Sequence, residues 1–128
     1  MIEEGRALFL QIAEGIEDAI LEGSLPEESR APSTNELAAF YRINPATAAK
    51  GVNMLVDKGV IYKRRGIGMF VATGARDALL AERRAGFAER FIVPLLAEAR
   101  TLGLDVDDLT ALLRERGDDQ TTTEGTPE

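Results

Sequence analysis

Apolar residues near the start of the chain recur every three or four positions, which is the spacing of one face of a helix. This pattern predicts a first helix over residues 7–22, ending at Gly23. Residues 23–32 contain glycine, serine and two prolines and are expected to form a loop. The apolar face comprises Leu8, Ile12, Ile16, Ala19 and Ile20, whereas Glu14, Glu17 and Asp18 are expected on the other faces.

A second helix is predicted to begin after Ser33 and to end near Tyr41. Ser33 is a favoured N-cap residue, and Glu36 follows three positions later. This is the capping-box pattern, in which each side chain accepts a hydrogen bond from the other residue's backbone N–H. Leu37, with either Phe40 or Tyr41, would supply the apolar side of this helix.

The third predicted helix begins beside a proline, although a proline inside a helix costs about 3 kcal/mol. Asn44 is a favoured N-cap residue, so Pro45 falls at the first helical position, where its missing N–H is not needed. Because only a short connection separates the second and third helices, the pair is typical of a helix-turn-helix. Its inward face would carry Ala48, Val52 and Leu55, and its outward face Ala46, Thr47, Lys50, Asn53 and Met54.

Two short runs rich in β-branched and aromatic residues follow, over residues 60–63 and 69–72. Residues 64–68 lie between them and supply the two glycines that a tight turn favours. The pattern therefore predicts a β-hairpin with a basic tip, here called the wing.

The last part of the chain returns to helical spacing over residues 76–102, with a kink or a division into two helices expected at Pro94. Gly103 is expected to end this element. Asp105 would cap a final helix that ends at Gly117. Residues 118–128 are polar and lack large apolar side chains, which predicts a disordered acidic tail.

The predicted fold class is mainly α with a small β-hairpin: a winged helix-turn-helix followed by a two-helix C-terminal dimerisation tail. The winged domain would cover residues 1–74 and the dimerisation tail residues 75–117. Two helices cannot bury such broad apolar faces alone, which favours a second copy of the chain as partner. The expected dimerisation residues are Leu79, Leu80, Phe87, Phe91, Leu95, Leu109, Leu112 and Leu113.

Composition narrows the chemistry that this chain can perform. The 128 residues include no cysteine and no histidine, which removes disulfides, thiolate sites, and the commonest general base and metal ligand. No cofactor and no metal are expected. The sequence begins without a secretory signal, and its apolar runs are too short to span a bilayer, which predicts a cytoplasmic protein with no membrane partner.

The net charge of −7 would by itself disfavour a nucleic-acid partner. However, residues 42–65 contain six Lys or Arg side chains and a single acidic one. Such asymmetry indicates a local basic face on an acidic body.

Three motifs could also indicate nucleotide binding, calcium binding or a catalytic serine, but each of these interpretations is less well supported than a structural one. The glycines of the 64–68 turn resemble a fragment of a nucleotide-binding loop, but they lie between strands and open no helix. The acidic residues at 105–108 lack the spacing of a calcium loop. Ser33 is better explained as a helix cap than as a nucleophile, since there is no histidine to activate it.

Residues 30–71 resemble the DNA-binding domain of GntR-type bacterial transcription regulators. The resemblance rests on Pro32-Ser33, the Glu36–Ala38 run, Leu55, Gly59 and the segment from Arg64 to Val71. The start of the third helix, with Asn44 and Pro45, and the short helical tail resemble the YtrA subfamily. Two departures are the presence of Asn35 where many relatives have arginine, and of Ala31 in place of the usual leucine.

The resemblance implies a DNA-binding role for specific positions. Arg30 would contact the DNA backbone, the front of the third helix would read the major groove, and the wing tip would reach toward the minor groove. Asn35 in place of arginine predicts an altered contact there. The expected DNA-binding residues are Arg30, Ser33, Asn35, Asn44, Pro45, Ala46, Thr47, Lys50, Lys63, Arg64, Arg65, Gly66 and Gly68.

The resulting prediction is a sequence-specific transcription regulator that binds double-stranded operator DNA as a homodimer. The resemblance implies repression more than activation. Two-fold symmetry would require a palindromic operator. A small-molecule effector is expected near Phe87 and Phe91. A protein-interaction module that does not contact DNA is the alternative class, and an enzyme is the remote third.

Overall fold

The computed structural model describes the backbone of residues 6–124 and side chains as far as residue 119. The predicted class, mainly helical with one small hairpin, is confirmed. The chain divides into two compact units, Met1–Arg83 and Arg84–Glu128. The elements are α1 (Leu8–Glu22), α2 (Thr34–Tyr41), α3 (Pro45–Lys58), β1 (Ile61–Arg64), β2 (Gly68–Val71), α4 (Ala75–Ala85), a π-helical segment (Ala88–Ile92), α5 (Val93–Leu102) and α6 (Val106–Glu124).

The first unit has one apolar core, formed by α1, α2, α3, the hairpin and the start of α4. Gly51 lets α3 approach α1 closely, because a Cβ on this residue would lie only 2.8 Å from the Phe9 carbonyl oxygen. The apolar face predicted for α1 and the inward face predicted for α3 are largely confirmed. The largest fully buried side chains are Ile12, Ile20, Leu55, Ile61, Val71 and Leu79.

The prediction that Leu79 contributes to the dimer contact is wrong. This residue was expected in the dimerisation surface, but its exposed fraction is 1%, and it belongs to the core of the first unit with Ala75. The helical spacing of apolar residues along α4 could not show whether that face packs within the chain or against a second chain. The first two turns of α4 therefore pack with the winged fold, and the predicted boundary after residue 74 falls earlier than the observed division.

Glu17 is the second correction. It was predicted to lie off the apolar face of α1, yet it is buried, with 6% of its surface exposed. Its carboxylate lies 2.6 Å from the Lys58 ammonium of α3 and 3.7 Å from the Arg83 guanidinium of α4. Two cations from distant parts of the sequence thus compensate a carboxylate whose burial alone would be costly.

In the second unit, the predicted interruption at Pro94 is confirmed, and it takes the form of a π-helical segment before α5. The Val93 N–H donates to the Ala88 carbonyl in the wider π pattern, and Pro94 lies in the first turn of α5, where a missing N–H is tolerated. Asp105 accepts a hydrogen bond of 2.8 Å from the Asp108 N–H, as expected for a cap.

The expected end of α6 at Gly117 is wrong, because the helix continues to Glu124. Gly117 is not among the glycines with positive φ, and a helix tolerates a glycine at a cost of about 1 kcal/mol. Residues 118–124 are thus helical, contrary to the predicted disorder, and residues 125–128 lie outside the described part. Among the described residues, no helix has both the length and the apolar character needed to cross a membrane.

Candidate nucleic-acid interface

The N-terminal end of α3 is exposed and well formed. The side-chain oxygen of Asn44 accepts a hydrogen bond of 2.8 Å from the Ala46 N–H, and Pro45 occupies the first turn, as predicted. Arg42 has a left-handed backbone with φ of 58°, which allows the sharp turn between α2 and α3. Asn44, Pro45 and Ala46 are exposed and Thr47 is half-buried, so this end of α3 is accessible to an elongated ligand.

Lys50 lies one turn further along the exposed face of α3. Its ammonium is 4.1 Å from the centroid of the Phe9 ring of α1. A cation over an aromatic face is attracted to it, so this contact holds the positive charge beside the junction of α1 and α3. The sequence pattern gave no indication of this ring, since Phe9 lies far away along the chain.

The wing is a two-stranded antiparallel hairpin, with Tyr62 opposite Phe70 and Arg64 opposite Gly68. A hydrogen bond of 2.9 Å from the Ile67 N–H to the Arg64 carbonyl closes its turn. Arg64 lies over the Phe70 ring, 4.8 Å from its centroid. Lys63, Arg64, Arg65, Gly66 and Ile67 are all exposed, which makes the tip the most basic projecting part of the described first unit.

Arg30 joins the wing through a connection that the sequence analysis missed. Residues 23–32 were predicted as a loop, but Ser29 and Ala31 hydrogen-bond along the outer edge of β2, and Arg30 pairs with Phe70. Gly68 makes room for this arginine, because a Cβ there would lie 2.9 Å from the Arg30 Nε. One signal was available, since a residue that precedes a proline, as Ala31 does, favours extended backbone.

The capping box at the start of α2 is confirmed. The Ser33 hydroxyl accepts a hydrogen bond of 3.0 Å from the Glu36 N–H, and the Glu36 carboxylate accepts one of 2.8 Å from the Ser33 N–H. The second of these bonds lowers the pKa of Glu36 below its ordinary value, followed by the contribution of the Ser33 side chain. Ser33 therefore acts first as a cap, while Asn35 beside it is exposed.

A second hydrogen-bonded cluster fixes the segment before Arg30. Glu28, whose φ is 66°, accepts hydrogen bonds from the Thr73 hydroxyl and, at 2.5 Å, from the Tyr62 hydroxyl. These bonds lower the pKa of Glu28, with that of Thr73 as the larger cause, and the bond to Glu28 raises the pKa of Tyr62. The edge segment that carries Arg30 is thus attached to both strands of the hairpin.

The basic region is smaller than the sequence count suggested. Lys58 was counted with the basic residues of positions 42–65, but its ammonium pairs with Glu17 and, at 3.1 Å, with Glu82. Burial acts to lower the pKa of Lys58, but hydrogen bonds to both carboxylates outweigh it and raise that pKa. The exposed cations that remain on the α3 face and around the wing are Arg30, Arg42, Lys50, Lys63, Arg64 and Arg65.

An accessible helix N-terminus in a helix-turn-helix, followed by a basic hairpin, defines a winged helix-turn-helix of the DNA-binding type. Residues 8–71 match the family model described as bacterial regulatory proteins of the gntR family. The chain belongs to the GntR family of bacterial transcription regulators.

Relatives extend the likeness beyond the winged domain. The HTH-type transcriptional repressor YtrA of Bacillus subtilis is 25% identical over 108 residues, which are 84% of this chain and 82% of YtrA. A crystal structure from Bacteroides thetaiotaomicron, described as a GntR-family transcriptional regulator, is 34% identical with a TM-score of 0.70. It covers 89% of this chain and 99% of its own. The likeness to YtrA therefore extends beyond the winged domain.

The structure of a third relative, AraR, was solved in complex with an operator. The N-terminal domain of AraR, in complex with a mutant of the operator ORR3, is 30% identical with a TM-score of 0.51. It covers 55% of this chain and all of the AraR domain. This likeness is confined to about half of the present chain.

Proposed function

We propose that this protein is a transcriptional repressor that binds a palindromic operator as a homodimer. The observation that carries the proposal is the attachment of Arg30 to the basic wing, in a unit whose α3 N-terminus is also exposed. Phosphate contacts supply affinity and register, whereas base contacts supply sequence preference. The names of relatives support repression, since YtrA is described as a repressor.

The residues divide into two proposed roles. Arg30, Lys63, Arg64 and Arg65 are exposed cations that would neutralise phosphates near the wing, and Gly66 and Gly68 shape its approach to the minor groove. Asn44, Ala46, Thr47 and Lys50 would face the major groove from α3, with Pro45 fixing the helix start. Ser33 and Asn35 would lie beside the backbone at the start of α2.

The homodimer is supported by the second unit. Within the described residues its helices leave Phe87, Phe91, Leu95, Leu112 and Leu113 exposed. Leu109 was also expected in the dimerisation surface, but it is buried in the single chain with 8% of its surface exposed, which corrects that expectation. Such broad apolar exposure is typical of an association surface. Leu80 is half-buried on α4 and keeps its proposed contact role. An effector near Phe87 and Phe91, whose ring centroids are 5.5 Å apart, also stays a prediction.

The test is fluorescence anisotropy with labelled DNA from upstream of the gene and with a scrambled duplex, between about 50 and 200 mM salt. We expect tight binding to the native duplex with a steep salt dependence and two chains per site. Arg65→Ala should weaken both duplexes equally and reduce the salt slope by about one, whereas Thr47→Ala should change the preference between them.

Arg100→Ala is the matched control, because Arg100 is an exposed arginine of α5 outside the proposed interface. It should leave both affinities unchanged. Equal losses from Arg65→Ala and Arg100→Ala would contradict the assigned interface. Absence of binding to any duplex at low salt would favour the protein-interaction alternative.

A further inference from the structure

A groove of about 600 Å³ opens in the first unit between α1, the loop that follows it and α2. This volume is within the range of small-molecule sites, roughly 300–1,000 Å³. Its lining combines apolar side chains with Arg30, Glu36 and Tyr41. The groove is distinct from the effector position that the sequence suggested near Phe87 and Phe91.

Two small residues on one face of α1 keep the groove open. Gly15 and Ala19 are one helical turn apart and both line it. A Cβ on Gly15 would lie 3.3 Å from the Tyr41 hydroxyl oxygen, so even alanine there would press on the opposite wall. A larger side chain at Ala19 would fill the space, whereas one at Gly15 would also press on Tyr41, which packs against the core.

The opposite wall presents an aromatic surface. Phe40 is 69% exposed, and its ring meets that of Tyr41 edge to face, with centroids 5.0 Å apart. Phe40 was one of two candidates for the apolar side of α2, but Tyr41 takes that place against the core. Phe40 therefore remains available to a flat apolar ligand.

The polar groups of the groove specify the charge of such a ligand. The positive charge of Arg30 helps to lower the pKa of Glu36, but among the described residues neither the Arg30 guanidinium nor the Tyr41 hydroxyl makes a side-chain hydrogen bond, so both can donate to an anion. Glu36 already accepts the Ser33 N–H and adds a negative charge at the same rim. That carboxylate disfavours multiply charged anions such as phosphates, and one ligand carboxylate matches the single arginine.

We propose that this groove binds a small apolar carboxylate, with its body against Phe40 and its anionic group on Arg30 and Tyr41. The same Arg30 lies against Gly68 of the wing. A ligand that holds its guanidinium would remove a cation from the DNA contact and lower operator affinity. By linkage, DNA would lower the ligand affinity by the same factor. This regulatory step rests on the proposed function, whereas ligand binding itself does not.

The binding step is tested on the isotope-labelled full chain without DNA, by amide NMR titration with sodium 3-phenylpropionate, indole-3-acetate and octanoate. We expect saturable shifts at Gly15, Ala19 and Ser24 with at least one of them. The uncharged 3-phenylpropanamide should bind about tenfold more weakly than 3-phenylpropionate, since it loses the charge-assisted bond. Absence of saturable shifts with all three acids, or shifts confined to residues 87–113, would overturn the proposal.

Two variants locate the site. Ala19→Phe fills the groove and should abolish binding, whereas Ala81→Phe adds the same ring on an exposed position of α4 outside it and should not. Tyr41→Phe removes one donor while keeping the packing and should weaken binding severalfold. Thermal unfolding of each variant confirms that the fold is intact. Unchanged binding by Ala19→Phe, or equal affinity for acid and amide, would refute the site or its charge preference.

The regulatory step is tested by adding the acid that binds to the anisotropy measurement with the native duplex. A fall in DNA affinity that Ala19→Phe abolishes supports the shared role of Arg30. Ligand binding without any effect on DNA affinity overturns that role alone. A protein that binds the acid but no duplex would refute the proposed function and leave the ligand site established.

Discussion

At the scale of single residues, Gly66 and Gly68 of the wing both have positive φ but differ in what surrounds them. Gly66 has φ of 76° and no neighbour within 4 Å of an added Cβ. Gly68 has φ of 144°, and the added Cβ would lie 2.9 Å from the Arg30 Nε. The first glycine serves the turn, and the second also determines where a functional cation can lie.

This difference predicts different outcomes for the same substitution. Gly66→Ala should cost about 1 kcal/mol of stability from left-handed strain, with only a small loss of DNA affinity. Gly68→Ala should also displace Arg30 and therefore weaken DNA binding clearly more than Gly66→Ala. Urea unfolding and anisotropy on both variants separate the two effects. Equal DNA affinities for the two variants would show that the position of Arg30 is unimportant.

The Ser33–Glu36 capping box predicts a pH dependence of stability. Hydrogen bonds from Ser33 lower the folded-state pKa of Glu36. A lowered carboxyl pKa contributes stability above the unfolded value, about 4.3, and that contribution is lost as pH falls through the folded pKa. Glu36→Gln should therefore destabilise the protein at pH 7 and make less difference below about pH 4.

Glu89→Gln is the matched control for this prediction, because in the described part of the chain the Glu89 carboxylate is exposed and makes no side-chain hydrogen bond. Urea unfolding at both pH values measures the effect. Equal pH profiles for Glu36→Gln and the unsubstituted protein would contradict the capping account. Hydrogen bonds from Thr73 and Tyr62 also lower the pKa of Glu28, so its contribution to stability falls in acid and a residual pH dependence is expected in every variant.

At the scale of secondary-structure elements, local signals predicted what local interactions determine. Caps at Ser33, Asn44 and Asp105 and the apolar periodicity of α1 and α3 all matched the structure, because each acts within one or two turns. The sequence also identified the candidate residues at the start of α3, because the helix start there depends on a local cap.

Three of the misses involve partners that are distant in sequence. Glu17 pairs with Lys58 and Arg83, which are 41 and 66 positions away, so its burial left no local pattern. The edge pairing of Arg30 with Phe70 was equally long-range. Helical spacing could not show whether Leu79 packs within the chain or against a second copy.

The crossing of α1 and α3 yields a prediction with an internal control. Gly51→Ala places a Cβ 2.8 Å from the Phe9 carbonyl oxygen, and backbone must move to relieve it. We expect a loss of about 1–3 kcal/mol. Gly117→Ala in α6 meets nothing within 4 Å and should instead favour the helix by about 1 kcal/mol. Thermal unfolding followed by circular dichroism should show opposite signs, and stabilisation by Gly51→Ala would contradict the tight crossing.

At the scale of the whole molecule, charge and apolar exposure are distributed differently along the chain. The net charge is −7, yet basic side chains surround the wing and α3. Acidic surface elsewhere should weaken non-specific DNA binding and so favour discrimination. The second unit instead exposes apolar side chains, including Phe91 at 51% and Leu113 at 64%. This division of surfaces supports the proposed DNA contact in the first unit and the proposed dimer contact in the second.

The proposed dimer yields the last prediction. Phe91→Glu and Leu113→Glu place a charge on the exposed apolar helices of the second unit, where burial against a partner would be costly. Both variants should keep their helical content but sediment as monomers, and their operator affinity should fall because each chain then binds a single half-site. Ala81→Glu adds the same charge at an exposed position of α4 and should remain dimeric. Glutamate variants that sediment as dimers and bind the operator normally would show that this surface is not the interface. An unsubstituted protein that binds DNA as a monomer would contradict the dimer itself.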